Sequence, residues 1–191
     1  MLIGDYTMGC KIGAGKSSNC FSVIKDEEKY CMKVITLKDE EKDLKKQIEK
    51  EIKVLSILKN HSNIICLKEF FAVKSQHNER VCLVTEMMDM NLKNYLSLQK
   101  DNCLEESNCK IICKPILEAV NYCHSKLITH QVENLYKIFF DNIIKNKKDI
   151  KLENVMINLK TNEIKLIDFG YSTISKNERD LKKIKVYQGT P

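Results

Sequence analysis

The stretch DIKLENVMINLKTNEIKLIDFG, residues 149–170, decides how the rest of the chain is interpreted. It opens with an Asp-x-Lys-x-x-Asn pattern that runs from Asp149 to Asn154, and it closes with a DFG tripeptide that begins at Asp168. Between these motifs, two apolar runs flank a polar turn at 160–162 and predict a β-hairpin. Two such motifs in this order, separated by one hairpin, are hard to obtain by chance.

A second informative stretch is CKIGAGKSSNC, residues 10–20, with glycines at Gly13 and Gly15. Its GKS resembles the end of a phosphate-binding P-loop, but Cys10 stands where that motif requires its first glycine. The P-loop also requires a helix after GKS, whereas residues 19–24 predict a strand. Two alternatives remain. One is a plain tight turn, and the other is a turn that closes a β-hairpin and lets backbone amides approach phosphates without a Cβ in the way.

The first third of the chain alternates between strands and one helix. Residues 8–12, 19–25 and 30–35 predict strands, and apolar residues at helical spacing predict a helix over 44–59. Lys33 lies in the third strand, and Glu51 lies on the helix at a position able to pair with it.

The middle of the chain continues this alternation. Residues 68–73 and 80–87 predict two more strands, 91–98 a short helix and 106–125 a longer one. Pro115 falls inside the longer helix, where a proline costs about 3 kcal/mol. We therefore expect a kink or a later start of that helix.

The composition fits a globular protein and excludes several classes. The net charge of +6 arises from 32 basic and 26 acidic residues that are spread along the chain without interleaved aromatics, so a nucleic-acid surface is not expected. No apolar run approaches the roughly 18 residues of a membrane span, and no membrane association is expected. No two of the nine cysteines form a C-x-x-C pair, and no histidine lies near them at the spacing of zinc ligands. They are expected to be reduced and mostly buried, in a cytoplasmic or nuclear protein.

Together the glycine-rich turn, the strand lysine, the helix glutamate, DIKLEN and DFG resemble the eukaryotic protein kinases, and DIKLEN is typical of the serine/threonine branch. The resemblance extends from Gly4 to the last residue. It implies an α+β, two-lobed fold with a β-rich N-lobe that carries one long helix over 4–88, and a partial helical C-lobe over 89–191. It further implies transfer of the ATP γ-phosphate to Ser or Thr hydroxyls of a protein substrate, with Mg²⁺ as the metal.

The resemblance also assigns roles to residues near the reacting groups. Asp149 would orient the acceptor hydroxyl and accept its proton, and Lys151 would lie beside the transferred phosphoryl group. Thr190 would brace these two residues. Asn154 and Asp168 would hold the magnesium ions.

Other residues are expected to contact the nucleotide. Lys33, held by Glu51, would bind the α- and β-phosphates. The remaining set comprises the turn residues Ile12, Gly13, Ala14 and Gly15, the pocket roof Cys20 and Cys31, the gatekeeper and hinge Thr85, Glu86 and Met88, and the pocket floor Met156.

The chain departs from the family pattern in three ways, one of which is that Gln131 stands where the family has an arginine. Residues 132–148 separate His130 from Asp149, and their deletion restores the family register, so we interpret them as an insertion or a retained intron. The chain also stops at Pro191, inside the family's activation segment, and is expected to be a fragment. An alternative function is therefore an inactive, ATP-binding pseudokinase or regulatory fragment that acts through protein partners.

Overall fold

A computed structural model of the chain describes residues 1–15, 17–38, 40–74, 78–99, 106–130 and 152–177. The chain divides into two compact units. The first comprises Met1–Lys59 and Ile65–Met88, and the second comprises Asn60–Ile64 together with the described residues from Asp89 onward. Each unit has its own strands and buried apolar residues.

An antiparallel six-stranded sheet dominates the first unit. Its strand order is β1-β2-β3-β4-β6-β5. A tight turn with positive φ at Asp26 and Glu27 joins the third and fourth strands, as expected for a two-residue hairpin loop. The strands are β1 (Leu2–Ile3), β2 (Tyr6–Ala14), β3 (Ser18–Lys25), β4 (Glu28–Leu37), β5 (Leu67–Lys74) and β6 (Glu79–Glu86).

Residues that alternate along the strands build two apolar clusters in the first unit. Val34 belongs to one cluster and the adjacent Ile35 to the other, as a period of two requires. Helix α1 (Lys42–Leu58) contributes Ile48 to the cluster that contains Ile35, so α1 packs on that face of the sheet. Burial of this apolar stripe stabilises the helix more than its own propensity does.

The second unit combines two helices with short strands. Its three-stranded sheet has the order β10-β9-β7, and β8 pairs with β11. Helix α3 packs against β8 and β10, and its residues Ile112, Ile116 and Ala119 are buried. The elements are β7 (Met90–Asn91), α2 (Leu92–Ser97), α3 (Glu106–Ser125), β8 (Ile128–Thr129), a 3₁₀ turn (Leu152–Asn154), β9 (Val155–Ile157), β10 (Ile164–Leu166) and β11 (Thr173–Ile174).

Most predicted elements are present, and the α+β class with a β-rich part carrying one long helix is confirmed. The hairpin after DIKLEN forms as β9 and β10, with Asn162 in the left-handed region of its turn. A later start of the longer helix was one expected effect of Pro115, and this is wrong because α3 already begins at Glu106. The two-residue strands β1, β7, β8 and β11 were not predicted, since two residues carry no periodicity.

The cysteines differ from the prediction in their burial. Cys82 and Cys123 are buried, but five other described cysteines are half-buried and Cys10 is exposed. The expectation that most are buried is therefore wrong, because several lie on sheet or helix faces that are only partly covered. All eight described cysteines are free thiols. In the described residues, no helix has both the length and the apolar character needed to cross a bilayer.

Candidate functional site

Four of the predicted nucleotide-binding residues share one face of the six-stranded sheet. Cys20 lies opposite Lys33 on β3 and β4, and Cys31 lies opposite Thr85 on β4 and β6. Directly opposed residues share a face, as do residues two apart on one strand. Ile35 continues the same alternation, so this is the face on which α1 packs.

An ion pair joins this face to α1. Nζ of Lys33 donates to both carboxylate oxygens of Glu51, at 2.7 Å to Oε1 and 3.0 Å to Oε2. The Glu51 side chain is only 7% exposed, whereas that of Lys33 is 26% exposed. The buried carboxylate thus fixes the ammonium group, which remains accessible to a polar ligand. The pairing expected from the sequence is present.

The glycine-rich turn closes the hairpin of β2 and β3. The backbone N–H of Gly15 donates to the carbonyl of Ser18 at 2.8 Å. Ile12, Ala14 and Gly15 are exposed and Gly13 is half-buried. A Cβ at Gly15 would lie 3.1 Å from the Ser18 hydroxyl oxygen, so the turn has little room for a side chain there. These backbone amides are suited to an anionic ligand.

The end of β6 carries the residues predicted to form the gatekeeper and hinge. The Thr85 hydroxyl donates to the Glu86 carbonyl at 3.3 Å. The Glu86 carboxylate accepts the backbone N–H of Cys66 at 2.8 Å, which ties this segment to the residue that precedes β5. Met88 is buried and is the last residue of the first unit.

The Cys31 thiol on this face is protonated at neutral pH. A hydrogen bond with the Cys20 thiol and burial together raise the pKa of Cys31 far above its usual range. The Thr85 hydroxyl and the nearby Lys33 charge oppose this shift without cancelling it. The Cys31 sulfur beside Lys33 is therefore neutral, and a polarizable thiol suits an aromatic ring better than an anion.

The DFG tripeptide forms a constrained turn in the second unit. Asp168 is exposed and has a φ of 61°, in the left-handed region that a non-glycine residue rarely adopts. On one side, the Ile167 N–H donates to the Asn154 carbonyl at 2.9 Å. On the other side, Phe169 is fully buried, and its carbonyl accepts the Ser172 hydroxyl at 2.6 Å. These contacts bring an amide residue and a carboxylate residue together at one edge of the unit.

One residue of this region is absent from the predicted site. His130 is buried, with Nε2 2.9 Å from the Ile167 carbonyl and its ring edge-to-face with Phe169 at 4.3 Å between centroids. Burial lowers the pKa of His130 to about 4, so the imidazole is neutral and can donate a single N–H to that carbonyl. His130 therefore positions the backbone that precedes Asp168. The sequence signal for His130 was its position just before residues 132–148, which interrupt the family motif.

Some predicted site residues cannot be placed. Asp149, Lys151 and Thr190 lie outside the described residues, as do residues 132–148. Met156, the predicted pocket floor, lies on β9 opposite Lys165 and is half-buried. Each unit therefore contains its own part of the predicted set.

Comparisons with known proteins agree with these features. The family described as "Protein kinase domain" matches residues 6–191. "Probable serine/threonine-protein kinase MARK-B" of Dictyostelium discoideum is 30% identical over 177 residues, which cover 91% of this chain and 21% of that protein. Aurora kinase B of Mus musculus is 27% identical, with 89% of this chain and 43% of that protein covered. CBL-interacting serine/threonine-protein kinase 1 of Arabidopsis thaliana is 29% identical, with 100% and 38% covered.

The chain therefore belongs to the protein kinase domain family. Members of this family use ATP and a divalent metal ion to phosphorylate proteins. The chain spans between about a fifth and two fifths of the length of the three relatives.

Proposed function

We propose that this protein is a serine/threonine protein kinase that transfers the γ-phosphate of ATP to Ser or Thr hydroxyls of protein substrates, with Mg²⁺ as its metal. The observation that carries the proposal is the bidentate contact of Lys33 with Glu51 on the sheet face described above. We also propose a cytoplasmic or nuclear location, which is supported by the free thiols of the eight cysteines that the structure describes.

The first unit has the features needed to bind ATP. The accessible Lys33 ammonium is suited to the α- and β-phosphates, because Glu51 holds it in one position. The turn at Gly13 and Gly15 would place backbone amides against the phosphates. The weakly polar thiols of Cys20 and Cys31 would contact the adenine, and backbone groups of the Glu86–Met88 segment would hydrogen-bond to its edge.

The second unit offers hard oxygen donors for Mg²⁺. Asn154 supplies an amide oxygen and Asp168 a carboxylate, and both are ligand types that Mg²⁺ prefers. The hydrogen bond between Ile167 and Asn154 holds the two segments side by side. The strained φ of Asp168 supports a functional role, since such conformations cluster at active sites. The bound ion would neutralise charge on the phosphate oxygens.

The proton transfer is assigned to residues outside the described part of the chain. Asp149 would orient the substrate hydroxyl and accept its proton, while Lys151 would contact the transferred group and Thr190 would brace both. His130 contributes by fixing the backbone, because its ring N–H donates to the Ile167 carbonyl and so holds the residue that precedes Asp168.

A second candidate function is an inactive pseudokinase that binds ATP and acts through protein partners. The observation that favours it is the sequence itself, in which residues 132–148 interrupt the family motif between His130 and Asp149. A displacement of the catalytic base by about 1 Å can reduce the rate on the order of 10²-fold.

Two measurements on the same protein separate these functions. ATP–Mg²⁺ binding is measured by thermal shift, and phosphate transfer is measured with a generic basic protein substrate. The kinase proposal predicts both binding and transfer, and Lys33→Met should weaken both. Saturable binding without transfer supports the pseudokinase, and absence of both contradicts either function. A chain from which residues 132–148 are deleted serves as the matched control, because deletion should raise transfer if the segment misplaces Asp149.

A further inference from the structure

Two cysteines on α3 face each other across one helical turn. Sγ of Cys109 lies 3.6 Å from Sγ of Cys113, and both side chains are half-buried. Residues four apart are neighbours on a helix surface, so the helix itself holds the two thiols together. Neither residue belongs to the proposed kinase site.

We propose that Cys109 and Cys113 form a binding site for a thiophilic cation of the Zn²⁺ class. Two Zn–S bonds of about 2.3 Å that meet at a tetrahedral angle place their sulfurs about 3.8 Å apart. The observed separation of 3.6 Å differs from this by about 0.2 Å, which is the tolerance expected of a metal site. The two thiols therefore need almost no rearrangement to coordinate the same ion.

A disulfide fits the same pair less well. Cβ atoms one turn apart on a helix are about 5–6 Å from each other, whereas a disulfide requires about 3.5–4.5 Å. Closing that bond would distort α3, while a bridging cation would leave its backbone unchanged. The geometry thus favours ligation over oxidation.

The surroundings of the pair suit a cation with open coordination positions. Burial and a hydrogen bond with the Cys109 thiol raise the pKa of Cys113 to about 12, so a bound cation would displace the thiol proton. In the described ranges, no group of three or more His, Cys, Asp or Glu side chains converges. The helix would therefore supply two ligands, and water would fill the others. A shallow surface hollow of about 500 Å³ gives this water room and is lined by Lys110, Cys113, Lys114, Leu117, Glu118 and Asn121.

Residue-resolved alkylation tests the proposal directly. The full chain is treated with iodoacetamide in the presence and absence of Zn²⁺, digested with trypsin and examined by mass spectrometry. Cleavage after Lys110 places Cys109 and Cys113 in different peptides. Fragment-ion spectra then separate Cys109 from Cys103 and Cys113 from Cys123, so each rate is measured separately. We expect Zn²⁺ to slow both rates together, by about tenfold or more. Cys123 on the same helix is fully buried and serves as the internal reference for an intact fold.

The decisive feature is that protection of one thiol depends on the other. Cys113→Ser should abolish the protection of Cys109, and Cys109→Ser that of Cys113. The matched control combines Cys113→Ser with Lys114→Cys, which keeps the number of thiols but moves one off the shared face. It should also lose protection. Undiminished protection of Cys109 in either Cys113 variant, or no protection in the unmodified chain, would overturn the proposal.

Discussion

The ion pair between Lys33 and Glu51 leads to an asymmetric prediction. Lys33→Met leaves the carboxylate of Glu51, which is 7% exposed, without its closest cation. Glu51→Gln instead leaves an ammonium that is 26% exposed and can be hydrated. Because an unmatched charge costs more when it is buried, Lys33→Met should destabilise the protein more than Glu51→Gln does.

The expected magnitude follows from the contact. Two unit charges about 4 Å apart attract by roughly 4 kcal/mol at the effective dielectric constant of a partly buried site. Desolvation of both groups offsets a large part of this. We therefore expect a coupling free energy of about 2 kcal/mol, with a loss of about 3 kcal/mol for Lys33→Met and about 1 kcal/mol for Glu51→Gln.

The assay is a double-mutant cycle. The free energy of unfolding is measured in urea by far-ultraviolet circular dichroism for the parent, both single variants and the Lys33→Met/Glu51→Gln double variant. The double variant should be more stable than the sum of the single losses predicts. Equal losses for the two single variants, with coupling below about 0.5 kcal/mol, would refute the reasoning.

Three further predictions concern other parts of the molecule. A Cβ at Gly9 would lie 2.5 Å from Oγ of Ser22, so Gly9→Ala should lower the free energy of unfolding in urea by about 1–3 kcal/mol. Gly13→Ala should lower it less, because the nearest atom to a Cβ there is 3.5 Å away, and similar losses for the two variants would contradict this. Ser18→Gly removes the side chain at the end of the glycine-rich turn and should raise ATP affinity in a binding titration; an unchanged affinity would show that the turn already accommodates the serine. Folding lowers the pKa of His130 from 6.5 to about 4, because the ring is buried. As the pH drops from 6.5 to about 4, the unfolded chain takes up the proton first, so the free energy of unfolding should fall by about 3 kcal/mol. His130→Gln should lack this pH-dependent loss, and parallel pH profiles of the two proteins would refute the prediction.

The sequence predicts those parts of the fold that carry a strong local pattern. Helix α1 was expected over 44–59 and is found at Lys42–Leu58, because its apolar stripe repeats with helical spacing. The pairing of Lys33 with Glu51 was also foreseen, since both residues lie at recognisable positions of long, regular elements. Such elements leave few alternatives for the placement of a side chain.

Features that depend on strand register or on tertiary contacts could not be predicted from local sequence patterns. That Cys20, Cys31 and Thr85 share a sheet face follows from strand register, which a single sequence does not specify. The position of His130 under the DFG turn is set by burial against Phe169. The facing thiols of α3 lie outside the C-x-x-C pattern typical of zinc sites, because a helix brings residues four apart together.

Direct measurement of γ-phosphate transfer tests the kinase proposal most sharply. The chain is incubated with γ-labelled ATP, Mg²⁺ and a basic protein substrate, and labelled Ser or Thr is quantified beside a matched Asp168→Asn variant. We predict labelled Ser or Thr with the parent chain and a reduction on the order of 10²-fold or more with Asp168→Asn. Equal labelling by both proteins, or no labelling by a parent chain that binds ATP, would contradict the proposed function.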